Sequence, residues 1–236
     1  MKRIYWLGLL IVWSLAACSG GAAEQVAKPD PTATPSLPAP TLDPETLPHL
    51  LFEALSNDDL ATIEQVIAAG GDVNRKNSLG MAPLEIAAIR GQAAIVQALL
   101  EAGAELTSDA FYQAISGGYM EIVQLFLDQG VDVNAPDDIF GGGALIVAAR
   151  GGQVEIGRLL IAHGADLEQG DQWNDPALNV AAFRGQLAFA QMLVEQGAVV
   201  NVPNVNGSTA LNHAQNQGNT EVVDFLLQVG ATGKEE

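Results

Sequence analysis

Cysteine occurs once in the 236 residues, at Cys18, so no internal disulfide can form. A thiolate zinc site, which needs several cysteines, is excluded as well. Histidine is nearly as scarce: His49, His163 and His213 lie far apart and are read as having neither a second histidine nor a carboxylate at ligand spacing on one helical face. No metal and no cofactor are expected. The third shortage is positive charge, with 10 Lys and Arg against 28 Asp and Glu and a formal net charge of −18. Such a surface repels phosphate backbones and gains nothing from anionic lipid headgroups, so nucleic acid is not an expected partner.

What is present begins with Lys2 and Arg3, followed by an apolar run of 14 residues, Ile4 to Ala17. About 20 residues are needed to span a bilayer as a helix, so the run fits the core of a secretory signal over 1–17. It ends in Leu15-Ala16-Ala17-Cys18, followed by Ser19, and resembles a bacterial lipobox. The resemblance implies lipidation of Cys18 and cleavage before it, which takes the net charge to about −20 by removing Lys2 and Arg3. It also implies anchoring on the extracytoplasmic side of a bacterial membrane: periplasmic or outer-membrane in a diderm, the cell surface in a monoderm. Ser19, which is not Asp, fits outer-membrane sorting. The segment 18–47 carries six prolines between Pro29 and Pro44. Proline removes an amide donor and fixes φ, so a disordered, partly polyproline tether is expected, reaching at most roughly 90 Å.

The rest of the chain, 48–236, repeats. A glycine that ends a helix recurs at Gly70, Gly103, Gly130, Gly164, Gly197 and Gly230, in steps of 33, 27, 34, 33 and 33 residues. The second unit is the fullest, with Pro83-Leu84, Ala87-Ala88, Gly91, Ile95-Val96, Leu99-Leu100 and Gly103-Ala104. Leu84, Val96, Leu99 and Leu100 recur at helical spacing and are expected to fill the space between units, while Ala87 and Ala88 let helices approach. Pro48 is expected at a first helical position. Asp58 stands where other units have a mid-unit glycine, as suits a divergent capping unit.

A period near 33 with this pattern resembles the ankyrin repeat family. The resemblance implies an all-α solenoid of about six helix-turn-helix units that binds a protein. The third unit is six residues short; its helices are expected over Phe111–Gly117 and Tyr119–Gln129, with the turn cut to Thr107-Ser108-Asp109. The fourth has one extra residue, between Ala135 and Gly143. The family's histidine in its T-P-L-H motif is missing: the positions hold Phe52, Glu85, Tyr112, Ile146, Asn179 and Asn212, and its threonine survives as Thr209. Loss of that histidine predicts weaker hydrogen bonding between neighbouring turns.

Catalytic patterns are not found. Gly141-Gly142-Gly143 lacks a third spaced glycine for a dinucleotide loop and a Lys-Ser/Thr for a P-loop. Asp132, Asn134, Asp137 and Asp138 lack the EF-hand spacing and closing Glu. Asn206-Gly207-Ser208 is read as a turn rather than a glycosylation site. No enzymatic activity and no small-molecule substrate are expected, and the chain is expected to act as a monomer. In the ankyrin family partners usually lie on the concave face. The matching positions are Leu79, Met81, Ile89 and Arg90, then Ile139, Phe140 and Arg150, then Trp173, Asp175, Phe183 and Arg184, then Val205, Asn206, Ser208, Asn216 and Gln217. Arginine and aromatic residues dominate binding hot spots, and this set is rich in both. The expected function is a membrane-tethered protein–protein interaction scaffold; the alternative is an inhibitor or immunity protein that blocks a secreted toxin or enzyme.

Overall fold

The structure is a computed structural model that describes residues 43–136 and 141–233. The signal and most of the tether, Cys18 included, lie outside the described residues, as do Asp137, Asp138, Ile139, Phe140 and the last three residues.

The described residues form twelve helices and no strand. They come in pairs: α1 Leu47–Asn57 with α2 Leu60–Ala68, α3 Pro83–Arg90 with α4 Ala93–Glu101, and α5 Ser108–Ser116 with α6 Met120–Asp128. Then follow α7 Ala144–Gly151 with α8 Val154–Ala162, α9 Ala177–Arg184 with α10 Leu187–Glu195, and α11 Ala210–Gln217 with α12 Thr220–Gln228. Helices of eight to eleven residues are too short to persist alone in water. Each pair is held by its neighbours. The first helices form one layer and the second helices another, and the first helices pack more closely against one another. The row therefore curves with the first helices on its inner side.

All six repeat glycines take the left-handed conformation, with φ from +81° at Gly70 to +93° at Gly197. Between the helices of a pair the same conformation falls on Gly91, Gly118, Gly152, Gly185 and Gly218, and in the first unit on Asp58 at φ +58°. There the aspartate does what glycine does elsewhere. Several of these glycines are needed twice over. A Cβ on Gly91 would lie 2.5 Å from the Tyr119 ring of the next unit, and one on Gly152 would lie 2.3 Å from Gln186 Oε1. At Gly218, in the last described unit, nothing lies within 4 Å.

The core runs the length of the row. Leu84, Ala87, Ala88, Val96 and Leu99 are buried, and so are the pairs Ala148-Ala149 and Ala181-Ala182. Fully buried Phe111 and Phe126 meet edge-on at 6.4 Å in the short third unit. Asparagines stitch the outer turns. Asn74 donates to the Gly103 carbonyl (3.2 Å) and accepts from the Glu105 amide (2.8 Å). Asn134 does the same with Gly164 and Asp166, and Asn201 with Gly230 and Thr232.

Three sequence expectations change in detail. Pro48 is the second residue of α1, after Leu47. In the third unit Ser108 and Asp109 belong to α5, which starts directly after Thr107; the Thr107 hydroxyl accepts from the Ala110 amide at 3.3 Å and caps it. The turn is lost altogether, not shortened. Four of the six positions that lack the histidine carry other hydrogen-bonding groups, three of which reach the next unit. Glu85 Oε2 accepts from the Ala82 amide (3.0 Å) and its Oε1 from the Thr107 hydroxyl of the next unit (3.3 Å). The Tyr112 hydroxyl donates to the Ala135 carbonyl. Asn179 reaches the Val202 carbonyl at 3.2 Å, and Asn212 accepts from both the amide and hydroxyl of Thr209. The extra residue of the fourth unit lies ahead of α7, since Gly130 precedes the cap Gly143 by 13 positions where Gly164 precedes Pro176 by 12.

Candidate functional site

The turns before α3, α9 and α11 share one construction. A side-chain oxygen at the first position accepts two backbone amides and closes a five-residue finger. Asn77 holds Leu79 (2.9 Å) and Met81 (3.0 Å); Asp171 holds Trp173 (2.9 Å) and Asp175 (3.1 Å); Asn204 holds Asn206 (2.9 Å) and Ser208 (3.0 Å). The fourth position is left-handed in each: Gly80, Asn174 and Gly207. This geometry aims the middle residue outward. Leu79 is 77% exposed and Trp173 45% exposed; in the last finger the middle residue is Asn206, exposed with Val205 beside it. The Val205 amide donates to the Trp173 carbonyl at 3.0 Å, which locks the last two fingers together. In the sequence these fingers are marked by an Asx residue three positions ahead of Gly or Asn.

Among the described residues, hollows lie at two places along the inner side. The wider, about 930 Å³, is bounded by α1, the first finger and α3, with Phe52, Leu79, Met81, Ile86, Ile89 and Arg90 among its lining. Arg90 Nη1 donates to the Ser56 carbonyl at 3.1 Å, which anchors the arginine across the first two units. The second hollow, about 330 Å³, lies between the fifth and sixth units. Trp173, Phe183 and Arg184 line it together with Arg150, Asp171, Asp175, Asn179, Val180 and His213. The sequence placed Arg150, Trp173, Asp175, Phe183 and Arg184 on one face, and they do surround one space. Asn206, Ser208, Asn216 and Gln217 are on the last finger and the end of α11, outside this lining. Ile139 and Phe140 lie outside the described residues.

The electrostatics of the second hollow differ from the expectation for Asp175. Asp175 is 9% exposed, and its carboxylate is engaged within the protein. Its Oδ1 meets His213 Nε2 at 3.0 Å and accepts from Asn179 at 3.0 Å, and its Oδ2 accepts from Asn204 at 3.2 Å. Burial raises its pKa, but the hydrogen bonds from His213, Asn179 and Asn204 and the nearby His213 charge outweigh that and hold the carboxyl below the ordinary value of 3.8. Arg150 pairs with the nearly buried Asp171 at 3.6 Å. The Arg184 guanidinium lies 5.8 Å from the centre of the Phe183 ring, and among the described residues no carboxylate is within ion-pair distance of it. Phe183 meets His213 edge-on at 5.9 Å.

The sequence missed His213, Asn179 and Asp171 at this site, since the partners of Asp175 lie up to 38 positions away. It also passed over Glu53, one helical turn from His49 and 3.6 Å from it, an exposed pair. Among the described residues no group of three or more His, Cys, Asp or Glu is placed to hold a metal ion.

A profile of ankyrin repeats, three copies long, matches residues 50–137, 111–204 and 145–235. The curated relatives include an ankyrin repeat and KH domain-containing protein of Caenorhabditis briggsae, 30% identical over 129 residues or 51% of this chain. The human ankyrin repeat and KH domain-containing protein 1 is 36% identical over 92 residues, 36% of this chain. Ankyrin repeat protein nuc-2 of Neurospora crassa is 28% identical over 134 residues, 54% of this chain. The chain spans only 5%, 4% and 13% of those proteins, respectively. Among solved structures, an ankyrin repeat domain from Acinetobacter baumannii is 28% identical with a TM-score of 0.68, covering 77% of this chain and 98% of that one. The human ASB11 ankyrin repeat domain is 26% identical with a TM-score of 0.70, covering 79% and 86%.

Proposed function

Because the chain belongs to the ankyrin repeat family, whose repeats are in general protein–protein interaction modules, we propose that it is a lipid-anchored scaffold that holds a protein partner against the inner face of its stack. The fold is typically non-enzymatic, and the reading requires no chemistry. The observation that carries it is the composition of that face. In a chain of net charge −18, Arg90, Arg150 and Arg184 gather there with exposed Leu79, Ile89, Trp173 and Phe183. Exposed large apolar groups beside arginine are what interface centres are made of. The residues 1–47 supply the anchor and reach: lipid on Cys18, then a proline-rich tether. Two or more acyl chains hold a protein durably at a membrane where one does not.

Crosslinking in the native host, followed by recovery of the anchored chain, tests both parts. Leu79→Glu with Ile89→Glu should abolish recovery of the partner, whereas Arg158→Glu on the outer helix α8 should not. The opposite pattern would refute the inner-face reading. The chain should incorporate labelled fatty acid and Cys18→Ser should not, and equal labelling of the two would refute the anchor.

A further inference from the structure

We propose that the 330 Å³ hollow between the fifth and sixth units is an anchor site for one aromatic side chain of a partner segment, with an Asp or Glu side chain beside it in that segment seated on Arg184. The proposal rests on the inner-face reading above and adds the chemistry of the contact.

Size is the first argument. At about 330 Å³ the hollow is at the low end of ligand sites, which run from about 300 to 1,000 Å³, and suits one large side chain. Its walls are the second. Trp173 and Phe183, 45% and 42% exposed, offer aromatic surface that no group of the protein covers fully, and buried Val180 lies beneath. Aromatic pairs favour offset or edge-on packing against such walls.

The floor is the third argument. Its polar groups are already engaged: Asp175 by His213, Asn179 and Asn204, and Asp171 by Arg150 and two backbone amides. An apolar ring can therefore enter without stranding a buried donor or acceptor. Charge is the fourth. Arg150 is committed to Asp171, whereas Arg184 has no carboxylate at ion-pair distance among the described residues. One uncommitted cation fits one carboxylate. A phosphate-rich ligand would have to approach Asp171 and Asp175 as well, and those two carboxylates oppose it.

The test uses the chain cleaved before Cys18 and labelled with 5-fluorotryptophan; Trp6 and Trp13 leave with residues 1–17, and Trp173 is the tryptophan that remains. A Trp173→Phe variant assigns the Trp173 resonance. The probe is a peptide blocked at both ends, Gly-Asp-Phe-Glu-Gly, titrated to about 10 mM because one anchor residue predicts millimolar affinity. The Trp173 resonance should shift saturably. Replacing the peptide's Phe by Ala should abolish the shift. Replacing its acids by amides should weaken binding by about threefold, the scale of an exposed ion pair, and Arg184→Gln should erase that difference. Absence of a Trp173 shift, or an equal shift with the Ala peptide, would overturn the proposal. A shift driven by protein concentration alone would assign the hollow to a second copy and overturn it too. If the peptide fails while Leu79→Glu with Ile89→Glu still abolishes partner recovery, the anchor assignment falls and the inner-face reading stands.

Discussion

Gly157 lies inside α8, where glycine is a poor choice, and replacing it with alanine sets two effects of similar size against each other. Alanine recovers about 1 kcal/mol of helix propensity. The added Cβ, however, would lie 2.7 Å from Phe189 Cε2, 2.8 Å from its Cζ and 2.7 Å from Met192 Cε. Both residues are buried in α10, Phe189 completely. The methionine can swing its terminal methyl aside, but the ring is packed on all sides. Overfilling a tight core costs about 1–3 kcal/mol, so the net effect of Gly157→Ala is a loss of about 1 kcal/mol. The other units indicate the remedy: at the Phe189 position they carry Thr62, Ile95, Ile122, Ile156 or Val222, and at the Gly157 position Ile63, Val96, Val123, Ala190 or Val223. In a Phe189→Ile background the space opens, and Gly157→Ala should become stabilising by about 1 kcal/mol. Urea unfolding followed by circular dichroism, read as a shift in midpoint at constant m-value, measures the four corners of the cycle. A coupling of about 2 kcal/mol is expected for residues in direct contact. Equal effects of Gly157→Ala in both backgrounds, or stabilisation in the parent, would refute the reasoning.

Three further outcomes follow from the same contacts. Gly91→Ala should destabilise more than Gly218→Ala by about 1 kcal/mol, because both sites have a positive φ but only Gly91 also meets the Tyr119 ring; thermal melts compare them. Asn201→Ala removes two exposed hydrogen bonds and should cost about 1 kcal/mol, with faster amide exchange at Thr232, which loses its acceptor. The Asp175 carboxyl titrates below its unfolded value of 3.8, so its contribution is fully present above that pH and is lost as pH falls through the lower folded value. Melts of the parent should therefore fall more steeply below about pH 4 than those of Asp175→Asn, and parallel curves would rule the linkage out.

The repeat, the helix pairs and the places where helices stop were all legible in the chain, because each depends on groups a few residues apart. A left-handed turn demands glycine locally, and an inter-unit core demands leucine, isoleucine and valine at helical spacing. Which residues line the inner side of the row was partly legible for the same reason, since unit positions map onto helix ends and finger tips. What the order of residues did not disclose are contacts between units, about 30 positions apart. Asp175 reads as one more surface acid until His213, 38 residues on, and Asn204 close over it. Glu85, Tyr112 and Asn179 look like losses of a family histidine until their partners in the next turn are in view. Gly157 looks like a helix defect until Phe189 occupies the space. Local free energies decided where the helices form; which side chains face one another across the units was decided by the stacking, and the hollow at Trp173 exists only there.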